Sequence, residues 1–376
     1  MKIVLYANYI NHHMVWVADE LYRLTNGMFK YVCIQYMPDK FKKTGYPDFF
    51  DRPYIVKAFE QEGFYEAERM AVEFDVAIFH GSEDVQHFRD LRLKKDKLSF
   101  ESGERWLKKG WKNMLSPRFI KSQWRYHLKY KKCKNYYSLN ASAYLLNDYT
   151  LFHSFKNRCF KWGYFTNVED LDITQKTFTG TQMMWVNRFI DWKHPEMPII
   201  MAKRLKDSGH DFTLDMYGNG ELYGAMVDLA KKLDVCDRVI FNGNLPNEGI
   251  RSEMQNHDIV LTTSDQNEGW GATVNEAMSN GCVLIGSDKV GSVPYLVKNE
   301  ENGLIFKSQN INSLYNSVVS VLGKPDRCME LAMKAYITMR DIWSPSNAAN
   351  SLIRLCDDLL NHNDLSVVEG PCSPDF

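Results

Sequence analysis

The stretch Ile259-Val260-Leu261-Thr262-Thr263-Ser264-Asp265-Gln266-Asn267-Glu268-Gly269-Trp270-Gly271-Ala272-Thr273-Val274-Asn275-Glu276-Ala277-Met278 decides the fold. Its apolar opening, Ile259 to Thr262, has the length and composition of a buried strand. A polar loop follows, then a glycine-bracketed turn, then a helical period that ends near Asn280-Gly281. Strand, loop and helix in that order form one unit of a parallel α/β sheet. Gly269 and Gly271 carry no Cβ, so the backbone there can approach a ligand closely. The free N–H groups of the following helix, with its dipole, favour a phosphate at the same place. Glu268 and Glu276 stand eight residues apart across this helix start. At helical rise that is roughly 12 Å, the span from a sugar ring to a ribose across a diphosphate. Taken alone, such a pair also fits two solvated glutamates beside a tight turn.

The alternation continues on both sides. The second half offers strands at 182–186, 212–217, 239–241, 259–262, 283–286 and 304–306, with helical periods at 221–233, 271–280 and 311–322. In the first half the strand candidates are 2–7, 31–36, 75–79, 98–100 and 136–139. A chain of 376 residues suits two such domains. The expected architecture is therefore α/β: two doubly wound, Rossmann-like parallel sheets facing each other across a cleft. No period survives between Trp162 and Gly180, which predicts domains over 1–165 and 166–344. A last helical pattern over 345–362 follows the second sheet. The final 363–376, with two prolines and no period, is expected to lack order.

Ligands of open parallel sheets bind beyond the carboxyl ends of the strands, so the loops there matter most. After the first strand of the second series comes Asn187-Arg188-Phe189-Ile190-Asp191-Trp192-Lys193. Arg188 and Lys193 can neutralise a diphosphate and stabilise it as charge builds during departure. Tyr217-Gly218-Asn219-Gly220 closes the second strand, and Phe241-Asn242-Gly243-Asn244-Leu245 the third. Any strand-to-helix turn can use such glycines; four consecutive strand ends with matching chemistry are more specific.

From about Gln182 to Phe306 the chain resembles the donor-binding domain of retaining GT-B glycosyltransferases of family four, the glycosyl transferases group 1. The resemblance implies that Arg188 and Lys193 hold the donor phosphates and that Gly218 and Gly220 form the glycine turn. It makes Asn242 to Leu245, with Asn244 and Leu245, the base-side loop. Glu268 and the segment Gly269, Trp270, Gly271 and Ala272 would meet the donor sugar and diphosphate, and Glu276 the ribose hydroxyls. Trp343 and the helix after it resemble the family's C-terminal crossover, which implies that the helix over 345–362 packs back on the first domain. The resemblance also implies transfer from a nucleotide-sugar with retention and without a bound metal.

The first half departs from the family pattern. After its fifth strand the family places a histidine or acid facing the sugar, whereas this chain reads Ser99-Phe100-Glu101-Ser102-Gly103-Glu104-Arg105, with no histidine. Glu104, then Glu101, then His80 after the fourth strand are the candidates. Asn8-Tyr9-Ile10-Asn11-His12-His13 follows the first strand, so Asn11 and His12 should line the cleft, although the family's double glycine is missing.

Composition narrows the rest. Eight cysteines show no C-x-x-C pair and ten histidines no ligand-spaced cluster, so neither a disulfide frame nor a metal site is expected. Asp170-Leu171-Asp172 could bind a metal with a diphosphate, but it sits in the linker and reads as a solvated turn. The N-terminal apolar run is too short for a signal segment, and no apolar stretch reaches the ~20 residues that cross a bilayer. A cytoplasmic chain is expected. Net charge is −1, yet residues 89–136 carry 16 lysines and arginines against four acids, a local +12. Among these cations Leu107, Trp111, Met114 and Leu115 fall at i, i+4, i+7 and i+8, and Ile120, Trp124 and Leu128 at every fourth residue. Amphipathic helices of this kind predict docking of residues 89–136 on an anionic membrane surface, at its inner face, rather than on nucleic acid.

The expected activity is metal-independent transfer of a sugar from an NDP-sugar to a saccharide acceptor, lipid-linked, in polysaccharide, capsule or glycolipid assembly. Rivals are a nucleotide-sugar epimerase, which needs no acceptor, and a phosphorylase, which needs phosphate. A basic adaptor for nucleic acid would instead bind oligonucleotides with steep salt dependence.

Overall fold

The computed structural model describes residues 1–38, 49–81 and 83–376. Its first sheet contains β1 (Ile3–Ala7), β2 (Phe29–Cys33), β3 (Ile55–Lys57), β4 (Val76–His80), β5 (Ser99–Gly103), β6 (Tyr136–Asn140) and β7 (Cys159–Lys161). Its second contains β8 (Gln182–Val186), β9 (Thr213–Tyr217), β10 (Val239–Gly243), β11 (Ile259–Thr262), β12 (Val283–Ser287) and β13 (Leu304–Phe306). The orders are β3-β2-β1-β4-β5-β6-β7 and β10-β9-β8-β11-β12-β13. All of these strand pairs are parallel, with Leu5 opposite Tyr31 and Ile78 in the first sheet and Met184 opposite Asp215 and Val260 in the second. Both are doubly wound α/β sheets of the expected class. Strand order reverses between β1 and β4 and between β8 and β11, and the carboxyl ends at these two places are where such sheets hold ligands.

The inner strands are buried because helices cover both faces, which explains their near-continuous apolar runs, while the edge strand β10 leaves Ile240 and Asn242 exposed. One face of the second sheet sets Met183, Trp185, Leu214, Met216, Leu261 and Ile285 against Ile199, Leu205, Val318 and Leu331 from its helices. Two three-residue strands, β3 and β7, were not expected; they add an edge on each side of the first sheet.

The chain divides into two compact units, Met1–Asn167 with Ile342–Phe376, and Val168–Asp341. Helix Pro345–Asn361, capped by Ser344 whose Oγ accepts from Asn347 N, packs on helix Val15–Leu24 within the first unit. The terminal 363–376, expected to lack order, is instead fixed along β7. Cys372 N donates to Lys161 O at 2.7 Å, Lys161 N to Ser373 O at 2.9 Å, and Asp375 N to Cys159 O at 2.9 Å. Asn140 Nδ2 adds a bond of 2.7 Å to Asp375 Oδ2. An edge strand leaves backbone groups unpaired, and this segment satisfies them.

The linker is pinned within the second unit. Lys176 Nζ donates to the carbonyls of Met254, His257 and Gly281 at 3.1, 2.7 and 2.7 Å. Asp172 caps the short turn Ile173–Gln175 by accepting from Thr174 N at 3.1 Å.

Candidate active site

At the switch point of the second sheet, the loops after β8 and β11 are tied together from beneath. Thr263 is fully buried; its hydroxyl donates to Lys193 O at 2.7 Å and accepts from Trp185 Nε1 at 2.9 Å. Asp265 N donates to Trp192 O at 3.0 Å. These bonds set Lys193 opposite Glu268, and the two side chains form an ion pair that is largely shielded from solvent. Asp265 shapes the approach to Glu268 by accepting from Asn267 N at 2.8 Å, while Glu268 N bonds Asp265 O at 3.1 Å.

Gly271 has φ +87°, and a Cβ there would lie 2.6 Å from Val290 Cγ1 and 3.3 Å from Glu268 Cγ. From it springs helix Ala272–Ser279, whose first turn has no side-chain cap. Asn187, Thr262, Ser264, Glu268, Gly271, Thr273, Val274 and Val290 line a small hollow at that point. Thr262 Oγ1 is buried there without a hydrogen-bond partner among the described residues. A buried unpaired hydroxyl is uncommon and calls for a partner that enters the hollow. Helix N–H groups, a hydroxyl and a lysine together suit an anion.

His194 adds a second cation at this edge. It adopts a left-handed backbone (φ +48°), with Nδ1 2.9 Å from Glu196 Oε1 and Nε2 3.4 Å from Asp265 Oδ2. Asp265 first, and then Glu196, hold its imidazolium, and the pKa rises to about 9.

The glycine turn serves another purpose. A Cβ on Gly218 would sit 1.9 Å from Asn187 O, and one on Gly220 2.4 Å from Phe189 O. These glycines let the loops after β8 and β9 stack backbone on backbone, with Phe189 N bonding Asn219 O at 3.0 Å. Phe189 is buried between Trp185 and Tyr223. Arg188 consequently points outward; it is exposed, with its guanidinium 5.8 Å from the Trp192 ring, and, like Lys193, it does not line the hollow, which Lys193 meets through Glu268.

Beyond the helix start, Glu276 is buried and accepts from Asn247 Nδ2 at 2.8 Å. Burial pushes its carboxyl upward, and Asn247 and Arg251 partly offset this. Asn247 follows Asn244, which is exposed, and Leu245, half-buried, so the loop after β10 reaches Glu276. Gly269 is buried and Ala272 half-buried. The Trp270 ring is fully buried, and Nε1 donates to Asn275 Oδ1 at 2.8 Å. So large an apolar ring gains more from the interior than from a strand-end loop.

In the first unit, four strand ends gather one cluster. Tyr164, just past β7, donates through its hydroxyl to Glu104 Oε1 at 2.7 Å, and Glu104 also pairs with Lys108. The Tyr164 ring stacks on His13 at 5.4 Å, and His80 lies edge-on at 6.4 Å. His80 Nδ1 is 3.1 Å from Ser102 Oγ. Asn11 Oδ1 accepts from His13 N at 2.9 Å, which places His12 and His13 with ring centroids 3.7 Å apart. Burial keeps these imidazoles neutral: it lowers His12 to about 4, His13 to about 3, and His80 too, the last partly offset by Glu104.

Glu101 does not join this cluster. It bonds Arg89 at 2.9 Å and the Tyr136 hydroxyl at 2.6 Å, in a pocket that Gln86, Trp106 and Arg125 also line. A buried arginine requires a countercharge, and Glu101 supplies it. Tyr164, His194, Thr262 and Thr263 were not expected, whereas His13 belongs to the loop after the first strand that was expected to line the cleft. Of the four, His194 alone carried a signal, being adjacent to Lys193.

Residues 170–338 match the family of glycosyl transferases group 1. An uncharacterised glycosyltransferase of Haemophilus influenzae is 26% identical over 142 residues, which are 38% of this chain and 38% of that protein. None of the curated relatives is matched over more than that share of its length. Among solved structures, a glycosyltransferase from Rickettsia africae superposes with TM-score 0.68 at 13% identity, over 96% of this chain and 99% of that one. Anabaena HepE, solved with UDP and glucose, gives 0.67 at 13% identity, over 96% and 100%. Over residues 170–338 the chain is similar to the glycosyl transferases group 1, and its two Rossmann-like units share the GT-B fold of these solved structures.

Proposed function

We propose that this protein transfers a sugar from a nucleoside-diphosphate sugar, with retention and without a bound metal, to a saccharide acceptor. The observation that carries the proposal is the Lys193–Glu268 pair beside an uncapped helix start and the unpartnered Thr262 hydroxyl. A diphosphate entering the hollow would meet the helix N–H groups and share Lys193 with Glu268. Arg188 and the His194 imidazolium add positive charge at the same sheet edge. Glu268 would orient the sugar, and Glu276, with Asn244 and Leu245 alongside, the nucleoside. UDP in the Anabaena neighbour favours uridine as the base.

In the proposed step the bond from the sugar's anomeric carbon to the β-phosphate oxygen breaks. The acceptor oxygen bonds to that carbon on the same face, and its proton passes to the departing diphosphate. Charge then builds on the phosphate, where preorganised cations act most strongly. Within the first unit, Glu104, held by Tyr164 and Lys108, is the proposed catalytic acid. The acceptor is proposed to be lipid-linked and to belong to polysaccharide or glycolipid assembly, met at the cytoplasmic face of a membrane.

A thermal-shift panel of UDP, GDP and ADP, run with and without chelator, tests the donor assignment. Stabilisation by a nucleoside diphosphate that survives chelator is expected. No shift with any of them, or a shift only with added metal, removes the proposal. Turnover that proceeds without acceptor would point to an epimerase, and turnover that requires phosphate to a phosphorylase.

A further inference from the structure

The cations of residues 89–136 fall into two groups. Arg92 is fully buried and donates to the carbonyls of Ala71, Phe74, Asp75 and Leu98, so it closes the fold rather than a surface. Arg89 is held by Glu101 and Lys97 by the carbonyls of Val72 and Glu73. The expected docking range is thereby shortened at its start. From Arg105 to Asn147 the chain contains no acidic residue. Within that span Lys109, Lys112, Arg118, Lys121 and Lys129 are exposed.

Large apolar side chains stand among them. Trp111 is 66% exposed, Leu115 68%, Trp124 59% and Leu128 56%, with Met114 and Ile120 also exposed. They lie on a 3-10 turn, Gly110–Leu115, and on helix Pro117–Arg125 with its continuation Tyr126–Tyr130. Neither the turn nor the helix buries a single residue. The continuation anchors the hairpin through Tyr126 and Tyr130, which reach the core beside Tyr136 and Phe155. Ile120, Trp124 and Leu128 recur every fourth residue and so share one helix face. A soluble surface does not ordinarily gather such side chains without a partner.

We propose that residues 108–132 dock this protein on an anionic lipid bilayer, with Trp111, Leu115, Trp124 and Leu128 inserted among the acyl chains near the headgroups. The charge pattern selects the partner. An acid-free basic surround matches anionic headgroups, and tryptophan among leucine and isoleucine suits the interface between headgroup and hydrocarbon. Nucleic acid would use the cations and the two indoles but gain nothing from Leu115, Ile120 and Leu128. No helix among the described residues is long and apolar enough to cross a membrane, so attachment by this hairpin would be peripheral. Docking rests on the proposed function only in that a lipid-linked acceptor gives it a use; lipid binding is measured without donor.

The test is flotation of the full chain with vesicles of phosphatidylcholine, alone or mixed with phosphatidylglycerol, at low and high salt. The chain should float with the mixed vesicles only, and less at high salt. Lys112→Gln/Arg118→Gln/Lys129→Gln should weaken binding roughly five-fold per cation removed. Trp111→Ser/Trp124→Ser/Leu128→Ser should abolish flotation at both salt concentrations. All six positions are exposed, so an unchanged melting temperature verifies each fold. Failure of the wild-type chain to float at low salt overturns the proposal, as does flotation of the serine variant. So does sedimentation as a dimer that the serine variant loses, or oligonucleotide binding that outcompetes the vesicles. Thermal shift by nucleoside diphosphate is read on the same samples, so loss of docking and loss of the donor assignment are told apart.

Discussion

Thr263 suspends Lys193 from the floor of the second sheet: one hydroxyl donates to Lys193 O at 2.7 Å while it accepts from Trp185 Nε1 at 2.9 Å. Thr263→Val keeps the shape and removes both bonds, leaving a buried indole N–H and a carbonyl unpaired. Unmet buried polar groups cost about 1–3 kcal/mol each. Denaturant unfolding should show a loss of that order, and kcat should fall with it because Lys193 loses its support. Thr263→Ser, which retains the hydroxyl, should restore both. A valine variant as stable and active as the parent sinks the assignment.

Lys193→Ala should lose about 1.5–3 kcal/mol of charge-assisted bonding to the diphosphate, roughly a ten- to hundred-fold fall in turnover. Steady-state kinetics with a melting curve on the same preparation decide it. Unchanged turnover in the folded variant would falsify the phosphate role.

Glu268→Ala should behave differently because of the ion pair. Glu268 occupies Lys193 in the free site, so removing the carboxylate leaves the ammonium available to a nucleoside diphosphate. Turnover should collapse, since the sugar loses its orienting group, while calorimetric affinity for the diphosphate is kept or improved. Loss of diphosphate affinity equal to that of Lys193→Ala contradicts the arrangement.

Every strand of the second sheet could be read from sequence because each is a run of apolar residues bounded by turn signals, as Ile259 to Thr262 is. Ile55-Val56-Lys57 and Cys159-Phe160-Lys161 escaped because each offers only two apolar residues before a lysine, whereas Leu304-Ile305-Phe306 is apolar throughout. The terminal segment escaped for a related reason: it gains its place from backbone bonds to β7, which leave no side-chain pattern. Glu268, Gly271 and Lys193 were legible as residues of one strand-end region, since topology alone brings the ends of β8 and β11 together. Glycine's purpose was not. Gly218 and Gly220 look like ligand-facing glycines, yet the atoms filling their Cβ positions are the carbonyls of Asn187 and Phe189. Glu101 misled in the same way, because a residue near a strand end in sequence can still turn inward.

His194 makes the second unit sensitive to alkali. Its pKa is about 9 in the folded chain against an ordinary 6.5, through Asp265 and Glu196. Its folded value is raised, so its contribution is fully present below pH 6.5 and drains away as pH climbs through about 9. The difference in urea midpoint between the parent and His194→Gln should therefore be large at the acidic end of that window and vanish beyond its alkaline end. His12, His13 and His80 are shifted the opposite way, which is why the difference between the two chains is read rather than either curve. A difference that stays constant with pH removes the proposed charge on His194.

Gly271→Ala carries two separable penalties. At φ +87° an alanine adopts a left-handed backbone, which costs roughly 1–2 kcal/mol. Its new methyl would also stand 2.6 Å from Val290 Cγ1 and 3.3 Å from Glu268 Cγ, so it pushes on the hollow's far wall and on the proposed sugar-binding carboxylate together. Val290→Ala removes the first obstruction and leaves Glu268 in place, at a cost of its own from two buried methyls that the single variant measures. The double variant should recover part of the stability lost by Gly271→Ala, giving a coupling energy beyond the ~0.5 kcal/mol within which independent sites add. Turnover should not return with it, because the alanine still crowds Glu268. If the two substitutions add without coupling, Gly271 and Val290 do not share this wall. If stability and turnover recover together, Glu268 is not what the glycine protects.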